Sequence, residues 1–323
     1  VFDNGDTVIA DAEHQWAVSL REHRRKAIKE CKSVAESELV LQTKDLLDFQ
    51  NKHYAIRLTE PVQYSEKELT IDPYVLGYWL GDGNTNTTIL TVGDEDKIES
   101  LERIKSYGYS VKEYKQKYTY KLENVFEDFK SLSVINNKHI PLIYLQGSVG
   151  QRLELLRGLL DSDGSYNGRD DTIEFTSSDE LLATNVKELL ASLGIKASLC
   201  KNKSTLKGVR HKDRYRLVFK THLKVFNLKR KDLNSKVKTN TRSSFLYIKS
   251  ITSVESRPVK CISVDSERSL YLATKNYVVT HNTFAMSVGL LHRLLVNKGY
   301  RVLMVAPMET MITEVVEQIK KFC

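Results

Sequence analysis

One short pattern occurs twice in the chain. VLGYWLGDG (75–83) and LRGLLDSDG (156–164) are each an apolar run closed by Asp-Gly. The similarity continues downstream. ILTVGDED and a helix-patterned run ending SYGYSVK follow the first, and IEFTSSDE and a run ending ASLGIKAS follow the second. Asp82 therefore maps to Asp163, Thr91 to Thr176 and Gly108 to Gly194, at offsets of 81, 85 and 86 residues. Such a duplication restricts this stretch to folds with an internal pseudo-two-fold axis. Each copy reads as helix, two strands, helix, strands.

The repeated helix carries its own packing instructions. Gly77 and Gly81 are four residues apart, as are Gly158 and Ser162. Small residues at that spacing let two helices approach backbone to backbone, which would bring Asp82 and Asp163 together at the C-terminal ends. Carboxylates there oppose the helix dipole and repel each other. A divalent cation removes both problems, and carboxylate, water and phosphate oxygens suit Mg²⁺ in phosphodiester hydrolysis. A single Asp-Gly after a helix is ordinarily just a turn; two in a duplicated frame are not.

The texture changes on either side of the repeat. VFDNGDTVIADAEHQWAVSL at the start and FLYIKSITSVESRPVKCISVDSERSLYLATKNYVVTHN after Arg242 read as short strands and turns. From Thr283, TFAMSVGLLHRLLVNKGY has helical periodicity with Gly299 as a stop, and RVLMVAP reads as a buried strand. A β-rich module is thus split by the α/β module and followed by an unrelated α/β piece. The expected boundaries are 1–70 and 241–282 for the β-rich module, 71–240 for the duplicated module, and 283–323 for the tail. The chain lacks an initiator Met and stops inside EVVEQIKKFC, so it reads as a fragment of a longer reading frame.

Charge narrows the partners. Of a formal net charge of +8, the segment Lys196–Arg242 alone holds sixteen Lys or Arg against two Asp. In RYRLVFK, Arg214, Arg216 and Lys220 alternate with Tyr215, Leu217 and Phe219, so a strand would set cations on one face and apolar groups on the other. That favours a polyanion-facing strand, with Lys203 nearby, over a merely solvated charge run. No apolar run is long enough for a membrane span, and there is no signal peptide. The four scattered cysteines lack CxxC pairing, as expected in a reducing compartment. A cytoplasmic monomer in a phage or prokaryotic host cell is expected.

With these residues in view, the duplicated module resembles the LAGLIDADG (dodecapeptide-motif) homing endonucleases. LRGLLDSDG matches the motif closely and VLGYWLGDG resembles its looser first copy; KHIP (138–141) resembles a block between the motifs in intein-borne members. The resemblance implies pseudo-two-fold αββαββα repeats with a DNA-binding saddle of strands, Asp82 and Asp163 as Mg²⁺ ligands, and Lys138 near the scissile phosphate. FNLKRK resembles the region supplying a second lysine, here assigned to Lys231, although a basic residue there could equally anchor a phosphate or be solvated. The reaction implied is double-strand cleavage of a long DNA target.

The flanking module resembles an intein. In THNT, Asn282 would cyclise and cut after itself, His281 would polarise its carbonyl, and Thr283 would accept an acyl group. The tripeptide is common by itself, but YLATKNYVVTHN resembles the C-terminal intein signature, and GDTVIADAEHQW resembles the block whose His (His14) activates the upstream scissile bond. Most inteins carry Thr three residues before that His, where this chain has Asp11. Trp16, Cys261 and Thr280 together resemble the class 3 set, in which Cys261 attacks the N-terminal junction directly and forms a branched thioester. Singly, each of these residues reads as an ordinary core or structural residue; the coincidence carries the assignment. The implied fold is a mainly-β Hint horseshoe, whose first block, with the N-terminal splice junction, is expected upstream. The host exteins would be its partners in cis. The tail resembles the start of a phage terminase large-subunit or helicase-like P-loop ATPase, interrupted between the Walker Lys and Thr283. The rivals are a class 1 intein, a splicing element carrying a dead or maturase-like DNA-binding remnant, and an ATPase fragment with an unusual N-terminal domain.

Overall fold

The computed structural model describes residues 1–30, 33–48, 52–203, 205–206, 209–210, 213–232, 243–256, 264, 266 and 268–281. Cys261, Asn282, Thr283 and the tail beyond them lie outside the described residues. The chain divides into two compact units, Val1–Arg57 with Leu246–Cys323, and Leu58–Phe245.

The first unit opens with β1 (Gln15–Val18), α1 (Arg21–Lys29), β2 (Leu39–Gln42) and β3 (Ala55–Arg57). Strands β1 and β2 are antiparallel, with Trp16 opposite Leu41. Arg24, on α1, is buried and donates to the carbonyls of Ser19 and His53, which fastens the helix to the strand ends.

The second unit holds the duplication. Its first copy is α2 (Pro73–Asp82), β4 (Ile89–Thr91), α3 (Lys97–Ser106), β5 (Val111–Glu113), β6 (Thr119–Leu122) and α4 (Phe126–Ser131), followed by the short α5 (Leu142–Leu145). Its second is α6 (Val149–Asp163), β7 (Gly164–Asn167), β8 (Thr172–Ser177), α7 (Glu180–Ser192), β9 (Ala197–Asn202), the small β10 (Thr205–Leu206) and β11 (Val209–Arg210), and β12 (Arg214–Phe219). The sheets are antiparallel, in the orders β4-β6-β5 and β7-β8-β12-β9. The two copies are not equal. Where the second has the pair β7–β8, the first has β4 and a single bridge from Gly83 to Leu90. The polar run GDGNTNTT between α2 and β4 turns at Asn84, whose amide donates to the Ile89 carbonyl, leaving no room for the second expected strand.

Local signals explain the repeated helices. Asp72 caps α2 by accepting from the amides of Tyr74 and Val75, with Pro73 at the first helical position. Ser148 and Gln151 form a capping box on α6. Helices α3 and α7 both stop at a glycine with positive φ, Gly108 at 89° and Gly194 at 73°. Helix α2 is buried nearly all round, and its low amphipathicity follows from packing on α6 at one side and the sheets at the other. The α2–α6 contact is closer than side chains allow. A Cβ on Gly77 would lie 2.2 Å from the Leu155 carbonyl oxygen, and one on Gly158 would lie 2.1 Å from that of Tyr74. Arg152, fully buried, donates to the carbonyls of Gly147, Ser192 and Val62, tying the strap before α2 to α6 and α7.

Returning to the first unit, β13 (Phe245–Tyr247) pairs with β3, and β14 (Leu270–Ala273) pairs with β15 (Val278–His281). Strand β15 lies against β1. Among the described residues no helix is long and apolar enough to cross a membrane.

Candidate active sites

Helices α2 and α6 end side by side, and each ends on one of the paired aspartates. Asp82 is half-buried, while Asp163 opens to solvent at its helix end. Poor hydration and the neighbouring Asp163 push the Asp82 carboxyl up to about 6; the protein crowded round the Asp163 carboxyl raises it too, although the residue keeps a solvent-facing side, against the pull of Lys138 and Lys231. The pair is thus short of positive charge, and its net effect on ionisation is unfavourable even with two lysines nearby.

Those lysines occupy corresponding places. The Lys138 ammonium donates to the carbonyls of Leu80 and Gly81, the last turn of α2, at 3.0 and 2.9 Å. The Lys231 ammonium donates to those of Leu160, Asp161 and Ser162, the last turn of α6, at 3.0, 2.7 and 2.9 Å. Each covers the negative end of one helix dipole. Burial pulls Lys138 down to about 8 and also lowers Lys231. Lys138 has one hydrogen left over from these bonds; Lys231 has none, so it acts as a fixed charge. In FNLKRK, Lys229 and Arg230 point elsewhere: Arg230 forms a two-pronged pair with Asp96, at 3.0 and 2.6 Å.

A divalent ion fits this donor set. Two hard carboxylate oxygens, raised in pKa and placed where helix dipoles disfavour negative charge, gain from a cation between them. Among the described residues no three His, Cys, Asp or Glu side chains cluster as a full cage. Mg²⁺ commonly takes one or two carboxylates and completes its shell with water and substrate phosphate oxygens.

Strand β12 has the expected alternation. Tyr215, Leu217 and Phe219 are buried, and Arg214, Arg216 and Lys220 lie on the other face. Two of these cations have acidic partners: Arg216 lies 3.2 Å from Glu174 and Lys220 lies 3.8 Å from Asp171. Lys203 is exposed just past the end of β9.

A second cluster lies in the first unit. His14 Nε2 is hydrogen-bonded to the Thr280 hydroxyl across 266 residues of sequence. The rings of His14 and Trp16 meet edge to face, with centroids 4.9 Å apart. The Trp16 indole N–H donates to Thr43 Oγ1, which in turn donates to the His14 carbonyl. Trp16 and Thr280 are buried. Burial lowers the His14 pKa and brings His281 down to about 4, helped by the nearby His14 and Arg268. Both imidazoles are therefore neutral at pH 7.

Two contributors were missed by sequence reasoning. Thr43 orients Trp16 and His14, and nothing local marks it. Asp161 had a visible signal: it is a carboxylate directly after the apolar run Leu159-Leu160, at the place where the first copy has Leu80. It is buried and accepts from the Tyr74 hydroxyl and from the amides of Asn227 and Leu228.

Comparison with known proteins places residues 150–256 in a match to the LAGLIDADG-like domain family. The replicative DNA helicase DnaB of Mycobacterium intracellulare is 30% identical over 315 residues, 91% of this chain and 52% of the helicase. The chain thus spans about half the length of that curated relative. Among solved structures, I-DmoI in complex with DNA and Ca is similar with a TM-score of 0.36 and 13% identity, covering 51% of this chain and 95% of that one. The N-terminal LAGLIDADG domain of DUF199/WhiA has a TM-score of 0.31 and 16% identity, covering 48% and 80%.

Proposed function

We propose that the chain is an intein of a DnaB-type replicative helicase and that it carries a LAGLIDADG homing endonuclease. The observation that carries the nuclease half is the Asp82/Asp163 pair, set on two helices that pack through glycine and flanked by Lys138 and Lys231. Asp82 and Asp163 would hold Mg²⁺. When bound, the ion supplies an activated water and stabilises the leaving oxygen of a phosphodiester. The chain's own residues do the rest. The two lysines bring positive charge to the phosphates, and β12 and its sheet neighbours offer Arg214, Arg216, Lys220 and Lys203 to the DNA backbone. Pseudo-two-fold placement matches the two antiparallel strands of a duplex, one lysine to each half.

The splicing half rests on His14, Trp16, Thr280 and His281 coming together from opposite ends of the β-rich unit, read as a Hint fold. Neutral His14, bonded to the Thr280 hydroxyl, has a proton to exchange at the upstream scissile bond. The Cys261 thiolate attacks the N-terminal junction carbonyl, expelling the amine of the intein and forming a thioester. The acyl group passes to the Thr283 hydroxyl. Asn282 cyclises to a succinimide as its amide nitrogen attacks its own carbonyl, which releases the intein, and an O-to-N shift leaves a peptide bond. A neutral His281 serves that cyclisation as a hydrogen-bonding group.

Similarity to the DnaB relative covers nine-tenths of this chain, so it runs through the LAGLIDADG-like unit as well as the tail. That supports a helicase over a terminase as host. Intact-mass spectrometry of the full precursor beside Cys261→Ala tests the splicing reading. Ligated host plus free intein from the wild type, with neither ligated product nor branched species from the variant, is expected. Ligation by the variant would point to class 1, and an unbroken wild-type precursor would sink splicing altogether. For the nuclease, Mg²⁺-dependent cutting of a plasmid carrying the intein-free site, lost in Asp163→Ala, is expected. DNA binding without cutting would leave the dead-remnant reading.

A further inference from the structure

We propose that Asp161 is the positioning residue for Lys231, and through it governs cleavage of one of the two DNA strands. This rests on the endonuclease reading above and assigns a role to a carboxylate which that reading does not use.

The connection can be followed bond by bond. The Asp161 carboxylate accepts from the amides of Asn227 and Leu228, at 3.0 and 3.2 Å, and from the Tyr74 hydroxyl at 2.9 Å. The Leu228 carbonyl then accepts from the amides of Lys231 and Asp232, at 3.0 and 2.9 Å, closing a tight turn. At the end of that turn the Lys231 ammonium reaches back to the Asp161 carbonyl at 2.7 Å and to its neighbours on either side. One residue thus fixes both ends: its side chain holds the start of the turn and its main chain receives the lysine. The segment has other ties. The Lys229 amide meets Glu99 at 3.2 Å, and Arg230 forms its two-pronged pair with Asp96, but neither of these reaches the end of α6.

The arrangement is not repeated. The first copy has Leu80 in place of Asp161, and the loop carrying Lys138 is held instead by Asn185 of α7, which accepts from the Ile140 amide at 3.1 Å. Asp161 therefore serves one lysine only. The Tyr74 bond also links it to α2, so a purely structural role would loosen both halves together. Strand bias separates the two roles.

The test is cleavage of a supercoiled plasmid bearing the intein-free site by the full chain in Mg²⁺, with each nick mapped to its strand. Displacing a catalytic group by about 1 Å costs up to ~100-fold, so Asp161→Leu should slow one strand by at least ~10-fold and let nicked circles accumulate. Lys231→Met should slow the same strand, and Lys138→Met the other. Asp161→Asn keeps an oxygen for the two amides and should restore balanced cutting. If Asp161→Leu does not fold, Asp161→Ser, which leaves room for water to bridge, should show the same bias. Equal slowing of both strands, bias toward the Lys138→Met strand, or an Asp161→Asn variant no better than Asp161→Leu would overturn the inference. A wild type that never cuts would overturn the endonuclease reading itself, and this inference with it.

Discussion

Replacing Asp82 with Asn should make the metal-free protein more stable while abolishing cleavage. An ordinary Asp in an unfolded chain titrates near 3.8, whereas Asp82 is held at about 6 by poor hydration and by Asp163. A gap of about two pKa units corresponds to about 3 kcal/mol of strain against the ionised form. The sign follows from proton counting. Between pH 4 and 6 the folded state holds a proton that the unfolded state has released, so stability falls as pH rises through that window. Above pH 6 the whole penalty is present; below pH 4 it is gone. Asn keeps the size and removes the charge, and because Asp82 is half-buried rather than sealed, we expect a net gain of about 1–3 kcal/mol at pH 8. For a unit of this size that is on the order of 5 °C in Tm.

The assay is thermal unfolding in EDTA at pH 8, 6 and 4.5, followed by a second series with Ca²⁺. Asp82→Asn should melt above wild type at pH 8, by slightly less at pH 6, and by only about a third as much at pH 4.5. Calcium should raise the wild-type Tm at pH 8 by mass action and leave the variant unmoved. A variant that is no more stable at pH 8, or whose advantage does not change with pH, would refute the claim that the carboxylate pair is strained. The same strain relieved by the ion is what would make the site selective for a divalent cation.

At limiting Mg²⁺, kcat/KM for cleavage should be bell-shaped, rising as Asp82 ionises near 6 and falling as Lys138 loses its proton near 8; a flat profile across pH 7–9 would show that the Lys138 charge is not needed. Gly158→Ala would drive a Cβ to within 2.1 Å of the Tyr74 carbonyl and should cost about 3 kcal/mol or more in urea unfolding. Gly150→Ala, whose Cβ meets nothing closer than Ser148 Oγ at 3.9 Å, should be neutral or stabilising by up to ~1 kcal/mol. Thr280→Val removes the hydroxyl bonded to His14 and should slow release of the N-terminal extein at least ~10-fold with little change in folding, read by mass spectrometry of the precursor.

What could be read from the sequence followed the range of the interactions. Helices α2 and α6, their glycine contact and the terminators Gly108 and Gly194 were legible because each depends on residues within one turn or on a repeated spacing. Alternation made β12 legible for the same reason. The first copy's missing strand was not, because GDGNTNTT satisfies its backbone within a local turn and a period-two pattern gives no warning of it. Thr43 was invisible because its role is set by partners on other strands. The choice among Lys229, Arg230 and Lys231 also needed the structure: all three are cations in one short turn, and which of them reaches the end of α6 is decided by where Asp161 anchors residues 227 and 228.

The way one unit interrupts the other has a physical logic of its own. The β-rich unit is left at the end of β3 and rejoined at β13, and those two strands are hydrogen-bonded neighbours. At the base of the inserted unit the Leu58 amide donates to the Ser244 carbonyl at 3.4 Å. An insertion whose ends meet so closely asks of its host only what a hairpin turn would ask, so the closure entropy of nearly two hundred intervening residues falls on the inserted unit's own folding. That unit can bear it, since its core, from Ile71 to Phe226, is built from its own residues. On the proposed reading, each chemistry could then be lost or kept without unfolding the other. Such independence is what a dead-remnant intermediate would require, and it makes the state of the Asp82/Asp163 pair, rather than the integrity of the fold, the feature that distinguishes an active endonuclease from a silent one.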